Sequence, residues 1–251
     1  MFRNEIFASI AQVPNVSRAK NGILFIGDGM GIQTMTAGRI LQSGEGGQTK
    51  MDSLPNSALI KTYNVDYQTP DSAGTANAYL SGVKSRWGTL GVNAGTVNRD
   101  CSTLKGNELE AVIEKAKKAG KSIGLVTTTY MTHASPAAAY AKSPYRGWYS
   151  DREMINSLGE DGYAAVKDSC KDIATQFHEK RYQFDVALAG GRRFFYPNDV
   201  EISGNKGYRK DGANYVNDWI QDSNLTYIST RDELLNYKRD EKPLIGLFAH
   251  R

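Results

Sequence analysis

The apolar positions of this chain fall into short continuous runs separated by stretches of helical period. Residues 23–26 (ILFI) form the first run and predict a buried strand; a glycine-rich turn follows, then a helix over residues 35–41. Residues 58–63 read as a short strand, and residues 75–83, with alanine, tyrosine and leucine on one side, as a helix. The clearest helix signal is NELEAVIEKAKKA at residues 107–119. Asn107 stands at its N-cap, glutamates come early, lysines late, and Gly120 supplies the stop. From there the alternation is regular. A strand at 122–128 comes next, and a helix at 172–180 leads to a strand at 184–189 with Gly190 and Gly191 as its turn. A helix at 213–222 leads to a strand at 225–228, and a short helix at 231–237 to a strand at 244–248. Helices alternating with short apolar strands predict an α/β fold, an open, mostly parallel sheet with helices on both faces. No repeat, low-complexity tract or linker interrupts the pattern, so residues 1–251 are read as a single α/β domain, with residues 197–215 as the longest surface loop.

Composition narrows the partners more than the fold. The hydrophobic and charged fractions of 40% and 23% are those of an ordinary globular protein, and the net charge of +4 comes from scattered basic residues. Nucleic acid is therefore not the expected partner, since its binders collect positive charge into a patch. No apolar run approaches the roughly 20 residues of a membrane-spanning helix. Residues 1–20 carry too short an apolar stretch for a signal peptide, so the protein is expected either in the cytoplasm or with its secretion signal outside this sequence. Cys101 and Cys170 have neither C-x-x-C spacing nor a neighbouring histidine, which leaves two separate thiols or a disulfide formed in an oxidising compartment.

In open α/β sheets ligands gather at the carboxyl ends of the strands, which places Asp28, the 129–135 loop and the 190–193 turn on one edge. The turn in ILFIGDGMG (residues 23–31) has glycines at 27, 29 and 31, so it misses the G-x-G-x-x-G spacing of a dinucleotide loop, and Asp28 would face the pyrophosphate. Asp28 is either a helix cap or a hard-oxygen ligand for zinc or magnesium. In PDSAGTANAYLSG (residues 70–82), Ser72 precedes a helix. Ser72 is either the cap or, with Thr75 capping instead, a free hydroxyl beside open helix N–H groups that would stabilise an oxyanion. A serine nucleophile needs a base or a metal. G-x-S-x-G is absent and no pattern selects one of His133, His178 and His250 as a base, so metal activation is the better expectation. In TTTYMTHASPAAAYAKSPYRGWYSD (residues 127–151), His133 and Ser135 lie just past a strand end, and Arg146 sits among aromatics. His133 reads as a hydrogen-bonded loop histidine or a ligand. Arg146 reads as a surface arginine or as a clamp that grips phosphate through two parallel hydrogen bonds.

Together these segments resemble the alkaline phosphatase family. ILFIGDGMG, TYNVDYQTPDSAGTANAYLSGVK and GLVTTTYMTHASPAAAYA look like the family's hallmark blocks in the family's order, and the similarity runs over residues 20–248. The resemblance implies a metal-dependent phosphomonoester hydrolase with two Zn2+ and one Mg2+, acting on phosphate monoesters through a phosphoserine and releasing inorganic phosphate. Ser72 matches the nucleophile and zinc-bound alkoxide, Arg146 the phosphate-binding arginine, and Asp71 the acid that orients it. Asp28 matches the carboxylate bridging zinc and magnesium, Ser135 a magnesium ligand, and His133 a residue in the magnesium's outer shell. Cys101 and Cys170 look like a disulfide pair of some members, closing a loop of about 70 residues worth roughly 4 kcal/mol in the chain-entropy model. A periplasmic, secreted or extracellular location and a homodimer are further implications.

The family draws most of its zinc ligands, and a magnesium glutamate, from a stretch of chain later than Arg251. The chain is thus expected to be the N-terminal portion of an alkaline phosphatase-like catalytic domain, its fold incomplete at the C-terminus, with little phosphatase activity alone. The other readings are a short form that binds phosphate or metal without turnover, and a Rossmann-type nucleotide-binding protein. A sulfatase is a weaker rival, because Ser72 lacks the C/S-x-P-x-R setting.

Overall fold

A computed structural model describes residues 6, 7, 10, 11, 13 and 16–251; much of the N-terminal stretch read above for a signal peptide lies outside them. The chain divides into two compact units, Met1–Lys61 and Thr62–Arg251.

Within the first unit, helix α1 (Ile32–Ser43) starts at the N-cap Gly31 and stops at Gly44, whose N–H donates to the Ile40 carbonyl. The expected strand at 23–26 does not form. These residues are coil, and Ile23, Leu24 and Phe25 are 83%, 65% and 90% exposed. The expected strand at 58–63 is coil as well. An apolar run becomes a strand only where a neighbour completes its hydrogen-bond ladder, and among the described residues neither run has one.

The second unit is built on a four-stranded sheet of order β1-β2-β6-β5, with every pairing parallel, as the alternating pattern predicts. The strands are β1 (Gly124–Tyr130), β2 (Val186–Gly190), β5 (Thr226–Ile228) and β6 (Leu244–Leu247). Burial follows strand position. All four residues of the inner strand β6 are buried, whereas the terminal strand β1 alternates between exposed and half-buried. The helices are α2 (Ser72–Ser81), α3 (Val112–Lys118), α4 (Ala134–Ala137), α5 (Asp151–Val166), α6 (Ile173–Lys180), α7 (Tyr215–Gln221) and α8 (Arg231–Asn236).

Three local outcomes differ from the pattern reading. Helix α3 begins at Val112 rather than near Asn107, because Leu109 N–H donates to the Gly91 carbonyl and Asn93 N–H to that of Asn107. Those bonds hold residues 107–109 extended, and Glu114 starts the helix instead by accepting from Ala111 N–H at 2.8 Å. Helix α5 is not marked by the pattern, since Gly159 breaks it with a φ of 77°. The 197–215 loop holds a small antiparallel pair, β3 (Glu201–Ile202) and β4 (Asn205–Lys206).

The main core is aromatic. Phe177 lies 5.7 Å from Phe184 and 5.9 Å from Trp219, ring centre to ring centre, and Trp219 lies 5.1 Å from Phe195. A smaller cluster joins Val92, Leu104, Trp148, Met154 and Cys170. Cys170 is bonded there to Cys101, with Cα atoms 5.8 Å apart.

Arg209, wholly buried, closes the 197–215 loop onto two helix starts. Its Nη1 and Nη2 each donate at 3.1 Å to Asp172, the N-cap of α6, and Nε donates at 2.9 Å to Asp211. Asp151, at the first position of α5, lies 3.8 Å from Nη2. Burial, with the nearby Asp211 charge, pushes the Asp151 carboxyl above its ordinary range despite Arg209. One cation thus compensates two buried carboxylates, Asp151 and Asp172, together with the exposed Asp211, and removing it leaves the buried charge uncompensated. Arg209→Met is expected to destabilise the protein by about 3–5 kcal/mol, read as a lower urea midpoint; an unchanged midpoint would show that the cluster carries no stability.

Candidate active site

Asp71 is the junction of the site. It N-caps α2, with Oδ1 accepting from Gly74 N–H at 3.1 Å and Oδ2 from Ala73 N–H at 3.3 Å. Asn64 Nδ2 donates to Oδ1 at 3.0 Å, and Arg146 Nη1 donates to Oδ2 at 3.0 Å. Burial alone would raise the Asp71 carboxyl. The hydrogen bonds from Gly74 N–H, Asn64, Gly88 N–H and Arg146 outweigh it and hold the group below its ordinary value.

This capping revises the reading of the helix start. The cap is neither Ser72 nor Thr75, whose hydroxyl donates to the Asp71 carbonyl at 3.0 Å. The Ala73 and Gly74 N–H groups, expected to stand open to an oxyanion, are occupied by Asp71. Those two N–H groups are therefore not available to an anion. Ser72 is the first residue of α2, half-buried, and among the described residues no hydrogen bond engages its hydroxyl. Gly74 has a packing reason: a Cβ there would come 2.3 Å from Asn64 Oδ1.

Arg146 is held from both sides. Its backbone N–H donates to the Gly88 carbonyl at 2.8 Å, and its Nη2 lies 3.2 Å from His133 Nε2. A guanidinium only donates, so Nε2 stands as the acceptor there, while Nδ1 faces the Ser135 N–H at 3.5 Å; the neutral ring has one acceptor nitrogen for these two donors. Two of the five guanidinium donors are used by Asp71 and His133, which leaves donors for a phosphate.

The sheet edge positions His133. Met131 N–H donates to the Gly190 carbonyl at 3.0 Å, so the chain leaving β1 stays against the end of β2 before His133 N-caps α4. At Gly191, with φ of 82°, any Cβ would lie 2.2 Å from that of Tyr130. The Tyr130 ring meets His133 edge-on at 5.2 Å and Tyr149 at 5.1 Å. Burial and a hydrogen bond with Tyr130 push the Tyr149 phenol well above its ordinary value. Ser135, half-buried in α4, carries on its carbonyl a 3.4 Å bond from Tyr79 of α2, so the two helices are tied.

The structure thus brings Asp71, Arg146 and His133 into one hydrogen-bonded chain, with Ser72 adjacent and Ser135 two residues on. Asp28 belongs to the Met1–Lys61 unit, in the turn ahead of α1. It is not the cap, a place Gly31 occupies. The reading of the sequence missed Asn64, Gly88 and Asn77. Asn77, fully buried in α2, accepts from Gly91 N–H and donates to the Thr89 carbonyl at 3.1 Å, fixing the loop that presents Gly88. None of the three carries a local signature, because their partners lie in other turns of the chain.

Among the described residues no group of three or more His, Cys, Asp and Glu side chains is arranged to hold a metal ion. The set does not fit a zinc pair, which needs several nitrogen and carboxylate ligands.

The family model for alkaline phosphatase matches residues 19–251. The chain belongs to the alkaline phosphatase family. It is 46% identical to the alkaline phosphatase of Gadus morhua over 94% of this chain and 52% of that protein. It is 44% identical to the human tissue-nonspecific isozyme of alkaline phosphatase over 96% of this chain and 48% of that protein. The chain therefore spans about half the length of these curated relatives. A cold-active alkaline phosphatase from a psychrophilic Shewanella shares the fold, with a TM-score of 0.64 at 23% identity, covering 90% of this chain and 45% of that one.

The depressed Asp71 carboxyl sets a pH dependence. Its contribution to stability is present above the ordinary carboxylate value and is lost as pH falls through the lower, folded-state value. Asp71→Asn is expected to lower the urea midpoint at neutral pH and to flatten the loss of stability between about pH 5 and pH 2. Parallel acid limbs in the two proteins would contradict this.

Proposed function

We propose that the intact protein is a metal-dependent phosphomonoester hydrolase of broad specificity and that Ser72 is its nucleophile. The observation that carries this reading is the Arg146–Asp71 pair, 3.0 Å apart, with Ser72 next to Asp71 at the first position of α2. Arg146 would grip two non-bridging phosphate oxygens and bring the phosphorus to Ser72 Oγ for in-line attack. The serine–phosphate bond forms as Ser72 gives up its hydroxyl proton and the ester oxygen leaves with its electron pair, taking a proton through solvent to depart as the alcohol. Water later cleaves the phosphoserine, returning a proton to Ser72 Oγ and releasing inorganic phosphate. A site that holds phosphate by charge makes few demands on the alcohol, hence the breadth.

Metal dependence is a property of the family. Toward two Zn2+ and one Mg2+ the resemblance assigns the Ser72 and Ser135 hydroxyls, with His133 in the outer shell, and from the Met1–Lys61 unit the Asp28 carboxylate. These do not complete a site, so the chemistry above is drawn only through the chain's own groups. For the 251 residues taken alone, phosphate binding without turnover is the alternative reading. In this reading residues 1–251 belong to one α/β catalytic domain of a homodimer. The Cys101–Cys170 disulfide supports a periplasmic, secreted or extracellular location, where such bonds persist; no described helix is long and apolar enough to cross a membrane.

The test is a single-turnover experiment on the intact protein with zinc and magnesium, using a 32P-labelled phosphate monoester and an acid quench. Label is expected on Ser72 and absent from Ser72→Ala, and the 251-residue chain is expected to release little p-nitrophenol from p-nitrophenyl phosphate. Robust turnover that survives Ser72→Ala would overturn the assignment.

A further inference from the structure

We infer that Asn64 is a positioning residue for the phosphate-binding arginine, acting through Asp71. The inference rests on the reading of Arg146 as the group that grips phosphate. Each oxygen of the Asp71 carboxylate receives two donors. On Oδ2 they are Ala73 N–H and Arg146 Nη1; on Oδ1 they are Gly74 N–H and Asn64 Nδ2. The two backbone donors belong to the same turn as Asp71 and fix the carboxylate against the helix end. Asn64 donates from outside the helix to the oxygen opposite the one that Arg146 engages, so with the Gly88 N–H it sets the tilt at which the carboxylate meets the guanidinium.

Asn64 is itself fixed. It is 3% exposed, its backbone N–H donates to the Tyr67 carbonyl at 3.0 Å, and the next N–H, of Val65, donates to the Ser85 carbonyl at 3.1 Å. Its side chain fills the space that the missing Cβ of Gly74 leaves free. The segment from Asn64 to Asp71 is thus a closed loop whose purpose is legible in one bond, and Ser85 joins it to the loop carrying Gly88, which holds the Arg146 backbone. Without the Asn64 donor the carboxylate can rotate about its Cβ–Cγ bond, and the Nη1 contact to Oδ2 loses its fixed acceptor. The guanidinium then turns more freely, and part of the affinity for phosphate goes into ordering it.

The experiment compares the parent with Asn64→Leu, similar in volume and without a donor, and Asn64→Ala, which relieves any crowding against Gly74. The first readout is the 15N–1H spectrum of the Arg146 guanidinium in the intact protein, which needs no turnover. Separate, slowly exchanging Nη signals are expected in the parent and a collapsed, averaged signal in both variants. The second is affinity for inorganic phosphate with zinc and magnesium present, expected to fall about tenfold, the effect of losing one hydrogen bond to a charged group. A packing role alone would lower the melting temperature and leave the guanidinium spectrum unchanged. Unchanged Nη signals in whichever variant folds would overturn the inference, as would averaged signals in the parent. Collapse of the signals with no phosphate binding by the parent would uphold the positioning role and remove the functional reading instead.

Discussion

The ion pair between Asp71 and Arg146 is the constraint on which the candidate site depends. Arg146 sits in a loop rather than on a helix or strand, and a guanidinium on a flexible stem would spend much of its binding energy on being ordered. Here the ordering is done in advance. Asp71 takes hydrogen bonds from the helix it caps, from Asn64 and from Arg146, so a single carboxylate starts the helix, receives Asn64 and aims the arginine. The same bonds keep that carboxylate ionised in a half-buried place. Substituting lysine for Arg146 would not preserve this, since an ammonium cannot hold Asp71 and His133 in one plane while offering further donors to a phosphate.

The surrounding fold serves that pair. Asn77 ties α2 to the loop that holds Gly88, and Gly88 receives the Arg146 N–H. The end of β1 stays against β2 through Met131 and Gly190, which sets where His133 meets the guanidinium. The disulfide fastens the 3-10 turn at Cys101 to the segment ahead of α6, next to the cluster of Trp148 and Met154, two to eight positions past Arg146. Hydrogen bonds with Asp71, His133 and the Gly88 carbonyl therefore converge on Arg146, on its side chain and its backbone. The buried Arg209 cluster does for the 197–215 loop what Asp71 does for the site, closing it on the N-termini of α5 and α6.

The sheet was legible in the sequence because its strands are short apolar runs preceded by helices, and all four appear where the pattern placed them. The runs at 23–26 and 58–63 carry the same signal and form no strand. Apolar content marks a segment able to pair, but the partner decides whether it does. Ser72, Arg146 and His133 stand out as candidates through their local motifs, and the family resemblance pairs Asp71 with Arg146, a contact the structure makes across 75 residues of sequence. That Asp71 rather than Ser72 or Thr75 caps the helix was not legible, because all three residues suit a cap. Asn64 was invisible, being an ordinary asparagine whose one informative bond closes a loop.

A double-mutant cycle on phosphate affinity tests the central claim most directly, with Asp71→Asn, Arg146→Ala and the double variant measured against the parent in the intact protein with zinc and magnesium. If Asp71 acts by holding Arg146 in place, the two losses overlap. The double variant should then bind about as weakly as Arg146→Ala alone, with a coupling of about 0.5–3 kcal/mol. Strictly additive losses would mean that the two residues contribute independently, and would contradict the account.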